Sequence, residues 1–257
     1  GEDAILALWD VQKFYDSIRW GHLYRGIREL RFPPTAFALS AQAYLGARLL
    51  MADGCVSEPV MRLDTSILAG DVYANDYARC MLYAILDFMH IQWPSAGPQQ
   101  HVDDISQVAV GPSQQCSKAI VESGTYLVQQ LKQVGLTMSA KSTFVPQSSS
   151  AVRKATRRLA QRGILIQHDK HGRDVGLDNA GGKRRIQAVT LGRKAKAAKR
   201  TRRVERLANA NAAAARLFSA GSLPQFSWGQ AGLGMAPNEI SRLRSLASHG
   251  LGRMVMG

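Results

Sequence analysis

Residues 4–9 read Ala-Ile-Leu-Ala-Leu-Trp, six apolar residues without interruption, and the run stops at Asp10. Its length suits a single strand, and a strand with no polar alternation is expected to be buried. A buried strand that ends in a carboxylate delivers a charge where α/β folds place reactive groups. A second constraint lies at His101-Val102-Asp103-Asp104, between polar Gln99-Gln100 and the apolar positions Ile105, Val108 and Val110. That pattern predicts a strand-turn-strand carrying two adjacent carboxylates. Asp is a poor strand former, and a bare pair on a turn repels itself unless a cation or solvent offsets the charge. Two readings stay open for this stretch, a hard-metal site and a solvated Asp-Asp turn.

The stretches between these two points set the fold class. A helix is expected from Ile18 to Leu30 with Asp16 as its N-cap, then a break at Pro33-Pro34 and a second helix from Thr35 to about Arg48. Residues 48–63 read as a hairpin around Asp53-Gly54. Gly70 permits a tight turn or close backbone approach before a helix from Asn75 to about Met89. Ser113 to Val134 is an amphipathic helix with Ile120, Leu127, Val128, Leu131 and Val134 on one face, closed by Gly135. Thr137 to Val145 alternates like a strand and carries Lys141. The order is α+β, an antiparallel sheet with helices packed on one face.

A polar, Ser-rich joint at residues 147–150 marks a boundary, giving domains of residues 1–147 and 148–257. The second part is expected to hold a basic helix (151–161), a turn-rich β segment (164–178), a long helix (186–218) with a seam of Val204, Leu207 and Leu217, and a last helix (238–248). Charge divides the same way. Residues 1–150 hold 11 Lys/Arg against 14 Asp/Glu, a net of −3, and residues 151–257 hold 22 against 5, a net of +17. A near-neutral front and a strongly basic rear suggest chemistry followed by a polyanion grip, with a merely soluble or disordered tail as the alternative. No run approaches the eighteen apolar residues that span a bilayer, so no membrane partner is expected. Cys55, Cys80 and Cys116 are widely spaced and form no C-x-x-C pair, which fits a reducing, intracellular setting, nuclear or cytoplasmic.

Asp10, Asp103 and Asp104 can be neighbours in an antiparallel sheet, and three carboxylates suit Mg²⁺, which completes its shell with water and substrate phosphates. Two such ions activate an attacking 3′-hydroxyl and stabilise a leaving pyrophosphate. Lys141 could then give a proton or a charge to the leaving group, and Tyr15, five residues after Asp10, would stand beside the incoming sugar.

The set Asp10-x-x-x-Phe14-Tyr15-Asp16, Ala69-Gly70-Asp71, His101-Val102-Asp103-Asp104 and Gly135-Leu136…Lys141 resembles, in order, motifs A to D of reverse transcriptases. The likeness is closest to those of non-LTR retrotransposons and group II intron proteins and covers about residues 1–145. The resemblance implies a right-hand polymerase palm, RNA-directed DNA polymerase activity, two Mg²⁺ ions (Mn²⁺ as a substitute), an RNA template, a DNA primer and deoxynucleoside triphosphates. It makes Asp10, Asp103 and Asp104 the metal ligands, Tyr15 the steric gate against a 2′-hydroxyl, Gly70 a contact to template and nucleotide, Lys141 the motif D lysine and Asp71 a structural residue. Residues 148–257 would be a thumb gripping the nucleic-acid backbone through Arg184, Arg185, Arg193, Lys194, Lys199, Arg200 and Arg203. His101 stands where the family has an aromatic residue and is expected to pack as one. Trp9, Trp20, Trp93 and Trp228 are expected at the core or the joint. Motif B lacks the family's Gln and Ser, and the fingers that precede motif A are not in this sequence. The fragment alone is therefore expected to be inactive, and a catalytically decayed nucleic-acid-binding remnant is the alternative.

Overall fold

In the computed structural model the apolar run forms β1 (Glu2–Trp9), the middle strand of a five-stranded sheet. The described residues are 2–46, 49, 51–58, 64–68, 70–174, 176–180 and 187–251. Two compact units divide the chain, residues 1–175 with 180–183, and residues 176–179 with 184–257.

In the first unit β1 is followed by α1 (Phe14–Ser17), α2 (Trp20–Glu29), α3 (Pro34–Leu45), β2 (Met51–Ala52), β3 (Cys55–Val56) and α4 (Ala74–Gln92). Then come β4 (Pro98–His101), β5 (Asp104–Pro112), α5 (Ser113–Gln133), β6 (Thr143–Val145), α6 (Ser150–Gln161), β7 (Gln167–His168) and β8 (His171–Asp174). The architecture is α+β, as the sequence pattern predicts. The sheet order is β4-β5-β1-β6-β7, antiparallel except for the parallel pair β6–β7, so the sheet is mixed rather than purely antiparallel.

Burial along β1 alternates as far as Ala7 and is then continuous through Leu8 and Trp9, so only the end of the strand is sealed on both faces as expected. Ile5, Ala7 and Trp9 are fully buried, and so are their same-face partners Ile105, Gln107 and Ala109 on β5. These residues share one core with the apolar faces of α4, α5 and α6. On the opposite face Val108 and Val110 remain 52% and 62% exposed. Leu8 is covered there by β8, where Gly172 comes so close that a Cβ would lie 2.5 Å from Leu8 Cδ1. A side chain at residue 172 would have to displace both Leu8 and Val145, whose Cγ2 lies 2.8 Å from the same point.

Several local expectations hold for stated reasons. Asp53 and Gly54 both have positive φ (49° and 79°), the pair of values that a two-residue type I′ hairpin needs. At the end of α5 Gly135 (φ 82°) closes a Schellman motif, with Leu136 N–H donating to Leu131 O (2.8 Å) and Gly135 N–H to Lys132 O (3.1 Å). Others need correction. Asp16 lies inside α1 and does not cap α2. The division between units falls after β8, not near residue 147, because Ala151, Val152, Ala155 and Leu159 of α6 complete the first core. Residues 48, 50 and 59–63 of the expected 48–63 hairpin, and the loop at 181–186, lie outside the described residues.

The second unit holds most of β9 (Leu177–Ala180), then α7 (Ala188–Ala210), α8 (Leu223–Ser227), α9 (Gln230–Leu233) and α10 (Pro237–Gly250). Asp178 caps α7, accepting from Val189 N–H and Thr190 N–H at 2.9 Å each. The long helix ends at Asn211 rather than continuing to Phe218, because Asn211 is extended (φ −147°, ψ 109°) and its side chain caps a 3₁₀ turn at Ala212–Ala215. Its buried positions are Thr190, Lys194, Ala197, Thr201 and Val204, at the 4-3-4-3 spacing of a packed seam. Leu207 and Leu217 are half-exposed and do not belong to it.

Candidate functional site

The β1–β5 register ends with Trp9 opposite Ile105, and β4–β5 with His101 opposite Asp104. Asp10 therefore leaves β1 beside the strand end where Asp104 begins β5. The hairpin turn is Val102-Asp103, not Asp-Asp. Its first residue has a positive φ (61°), a conformation that β-branched side chains avoid and that costs of order 1–3 kcal/mol. Gln100 supports the turn by donating from Nε2 to Val102 O (2.7 Å). Asp103 stands at the strained tip and Asp104 half-buried at its foot.

Burial pushes the Asp104 carboxyl above the usual carboxylate range, and the charges of Asp103, Asp174 and Asp10 push it the same way, with only His101 opposing them. The four carboxylates thus lie within electrostatic reach of this one point. Asp174, on β8, is a member of the group that the sequence reading missed. Burial raises its pKa as well, and His101 lowers it. Nothing in the sequence near residue 174 marks it, because it arrives through the close packing of Gly172 on Leu8. His101 is exposed, so it does not replace a packed aromatic; it faces Asp104 as the one basic ring among these acids.

The backbone at Asp10 is gripped by the loop before β6. Ser139 N–H donates to Asp10 O (2.7 Å), Asp10 N–H donates to Ser142 Oγ (3.0 Å), and Gln12 N–H donates to Thr137 O (2.8 Å). Ser142 is buried and is likewise absent from the residues that the sequence singles out. Lys141 is exposed on the turn of this loop rather than on a strand, which begins only at Thr143.

Burial raises the Tyr15 pKa, and the charge of Asp103 adds to the effect, so the phenol lies within reach of the hairpin tip. Ile67 N–H donates to Tyr15 O (3.0 Å), and the Tyr15 hydroxyl donates to Asn75 Oδ1 (3.2 Å). These bonds fasten the loop between Ile67 and Asn75 to the segment after Asp10. Within that loop Gly70 has φ 96°, and the space where a Cβ would stand is open. Asp71 Oδ1 accepts from Tyr73 N–H (2.7 Å), the self-bonded turn that gives it the structural role expected. Ala69 lies outside the described residues.

Hard carboxylate oxygens are the donor set that Mg²⁺ prefers. Among the described residues, however, no three His, Cys, Asp or Glu side chains close on a point that could hold a metal ion. Mg²⁺ commonly takes only one or two protein carboxylates, with water and phosphate oxygens for the rest, so the donor chemistry fits even without a protein cage.

The basic residues divide by exposure. Lys199, Arg200 and Arg203 are exposed on α7, together with Lys196, Arg202 and Arg206. Lys194 is a correction: it is 3% exposed, ion-paired with Glu239 and 5.5 Å from the Phe226 ring centroid, so its charge does not reach a surface ligand. Arg193 donates to Gly176 O and Trp228 O, a structural clamp within the second unit. Trp228 itself is half-exposed, whereas Trp9 is buried. Arg184 and Arg185 lie outside the described residues. Among the described residues no helix is long and apolar enough to cross a membrane. No protein-family model matches the chain, and neither does any curated protein.

Proposed function

We propose that residues 1–145 form the palm of an RNA-directed DNA polymerase of the non-LTR retrotransposon and group II intron type. The observation that carries this reading is the strand register, which sets Asp10 beside Asp104 with Asp103 at the hairpin tip and Tyr15 within its field. Asp10, Asp103 and Asp104 would hold Mg²⁺, which supplies activation of a primer 3′-hydroxyl and charge stabilisation for a leaving pyrophosphate. Tyr15 bars the ribose 2′-hydroxyl, and the open space over Gly70 admits the nucleotide and template. Lys141, on the loop bonded to Asp10, offers a proton to the leaving group. The exposed Lys199, Arg200 and Arg203 of α7 hold an RNA–DNA backbone without reading its bases.

A second reading has its own support. That no three potential ligands close on one point among the described residues favours a remnant that binds nucleic acid and no longer polymerises. One experiment separates the two. The full-length protein extends a DNA primer on an RNA template with Mg²⁺ and deoxynucleotides, and Asp103→Asn abolishes extension while leaving binding intact. Salt-sensitive binding with no extension under any metal condition establishes the remnant instead.

A further inference from the structure

Tyr15 is held at three places of unequal consequence. The bond from Ile67 N–H reaches only its backbone carbonyl. Buried Phe14 meets its ring edge-on, with 5.5 Å between centroids. The outer edge, which carries the hydroxyl, is fixed by Asn75 Oδ1 at 3.2 Å. A half-buried tyrosine retains two soft torsions, and a bond at its far end is the most effective restraint on both. Asn75 is itself exposed in the first turn of α4, so core packing does not call for an amide there. Its position is set from behind by the Asp71 turn, which ends one residue before α4 begins.

We propose that Asn75 is a positioning residue for sugar selection: it holds the Tyr15 hydroxyl, and through it the ring edge that bars a 2′-hydroxyl. The inference rests on the polymerase reading above. The chemistry suits the task. An amide oxygen accepts the phenolic proton without placing a negative charge beside an incoming triphosphate, as an aspartate would. Freed of this bond, the ring can turn aside and admit a ribonucleotide, while a deoxynucleotide gains nothing from the extra room.

The test is single-nucleotide extension by the full-length protein on an RNA template, comparing kcat/KM for a deoxynucleotide and the matched ribonucleotide. Wild type, Asn75→Ala, Tyr15→Phe and the double variant are measured together. Each single change lowers the deoxy-over-ribo ratio about 5-fold, the scale of one neutral hydrogen bond. The double variant falls no further than either single, because both remove the same bond. An unchanged ratio in Asn75→Ala, or independent losses that multiply in the double variant, overturns the proposal. Should wild type extend with neither nucleotide, the polymerase reading has failed and the selection role falls with it. The Tyr15–Asn75 bond is read separately by ¹⁹F NMR of protein labelled with fluorotyrosine, the Tyr15 signal being assigned with Tyr15→Phe. That signal shifts in Asn75→Ala, and a stationary signal rules out the tether whatever the activity.

Discussion

Trp9 donates its indole N–H to Gln107 Oε1 across the two strands that end at the carboxylates, at 2.8 Å and fully buried. Gln107 passes its own amide protons to Ala96 O (2.6 Å) and Ser123 Oγ (3.1 Å). Opposite the ring, Gly124 leaves the room it needs, since a Cβ there would lie 2.6 Å from Trp9 Cη2. Asp10 follows Trp9 directly, so this polar pin fixes the register on which the carboxylate arrangement depends.

Gln107→Leu leaves the Trp9 N–H and the Ala96 carbonyl buried without partners. The cost expected is about 3 kcal/mol, at roughly 1–3 kcal/mol for each orphaned group. Urea unfolding monitored by tryptophan fluorescence measures it. A midpoint within error of wild type would mean that water or a neighbour replaces the bonds.

Asp104 makes a prediction of unusual sign. Its carboxyl titrates above the ordinary range in the folded chain, so its ionised form opposes folding at neutral pH. That opposition fades as pH falls through the raised value toward the ordinary one. Asp104→Asn therefore raises the melting temperature at pH 7, and the gain shrinks on acidification. Added Mg²⁺ raises the melting temperature of wild type and leaves Asp104→Asn unmoved, a readout independent of activity. Equal responses of the two proteins to Mg²⁺ would remove Asp104 from the ligand set.

Asp3 carries the opposite sign. Burial pulls its pKa up, but bonds from Ser149, Ala151, Ser150 and Ala4 outweigh burial and hold it at about 2. The carboxylate anchors the first turn of α6, accepting from Ser150 Oγ and Ala151 N–H at 2.9 Å each. Its contribution is complete above the unfolded value of 3.8 and is lost as pH falls toward about 2. Wild type and Asp3→Asn should thus differ in stability at pH 6 and converge near pH 2. A gap that persists to pH 2 would count against this carboxylate as the cause.

If the second unit grips nucleic acid as proposed, Lys194→Met breaks a buried ion pair and costs about 3 kcal/mol, yet it leaves RNA affinity and its salt dependence unchanged. Arg200→Ala or Arg203→Ala does the reverse, with stability kept and the log–log salt slope reduced by about one for each phosphate no longer neutralised. Filter binding across a salt series reports the slopes. A lower slope for Lys194→Met would contradict its burial.

The sequence carries the frame of this fold more clearly than its joints. The run Ala4–Trp9, the Asp53-Gly54 turn and Gly135 each follow from local chemistry, and each is found where the pattern puts it. The carboxylate hairpin is legible to within one residue. The shift arises because Val102, a residue no turn preference selects, takes the positive-φ place. Lys141 leaves the strand because Ser139 and Ser142 bond to Asp10 instead of extending the ladder. Lys194 is hidden by composition, its surroundings being basic, although the spacing of Thr190, Ala197, Thr201 and Val204 marks the buried seam it occupies. Asp174 and Asn75 act on partners 60 or more positions away in sequence and leave no local trace.

The grip of Ser139 and Ser142 on Asp10 spans about half the chain, and it bears on the order of assembly. The β4–β5 hairpin closes over a short loop and can form early, whereas Asp10 is secured only after α5 has formed and the loop behind it has docked. Closure over so long a segment is entropically slow. A nascent chain ending near α5 would carry the acidic hairpin with its first aspartate still unclamped, so competence at this corner should ripen late in synthesis.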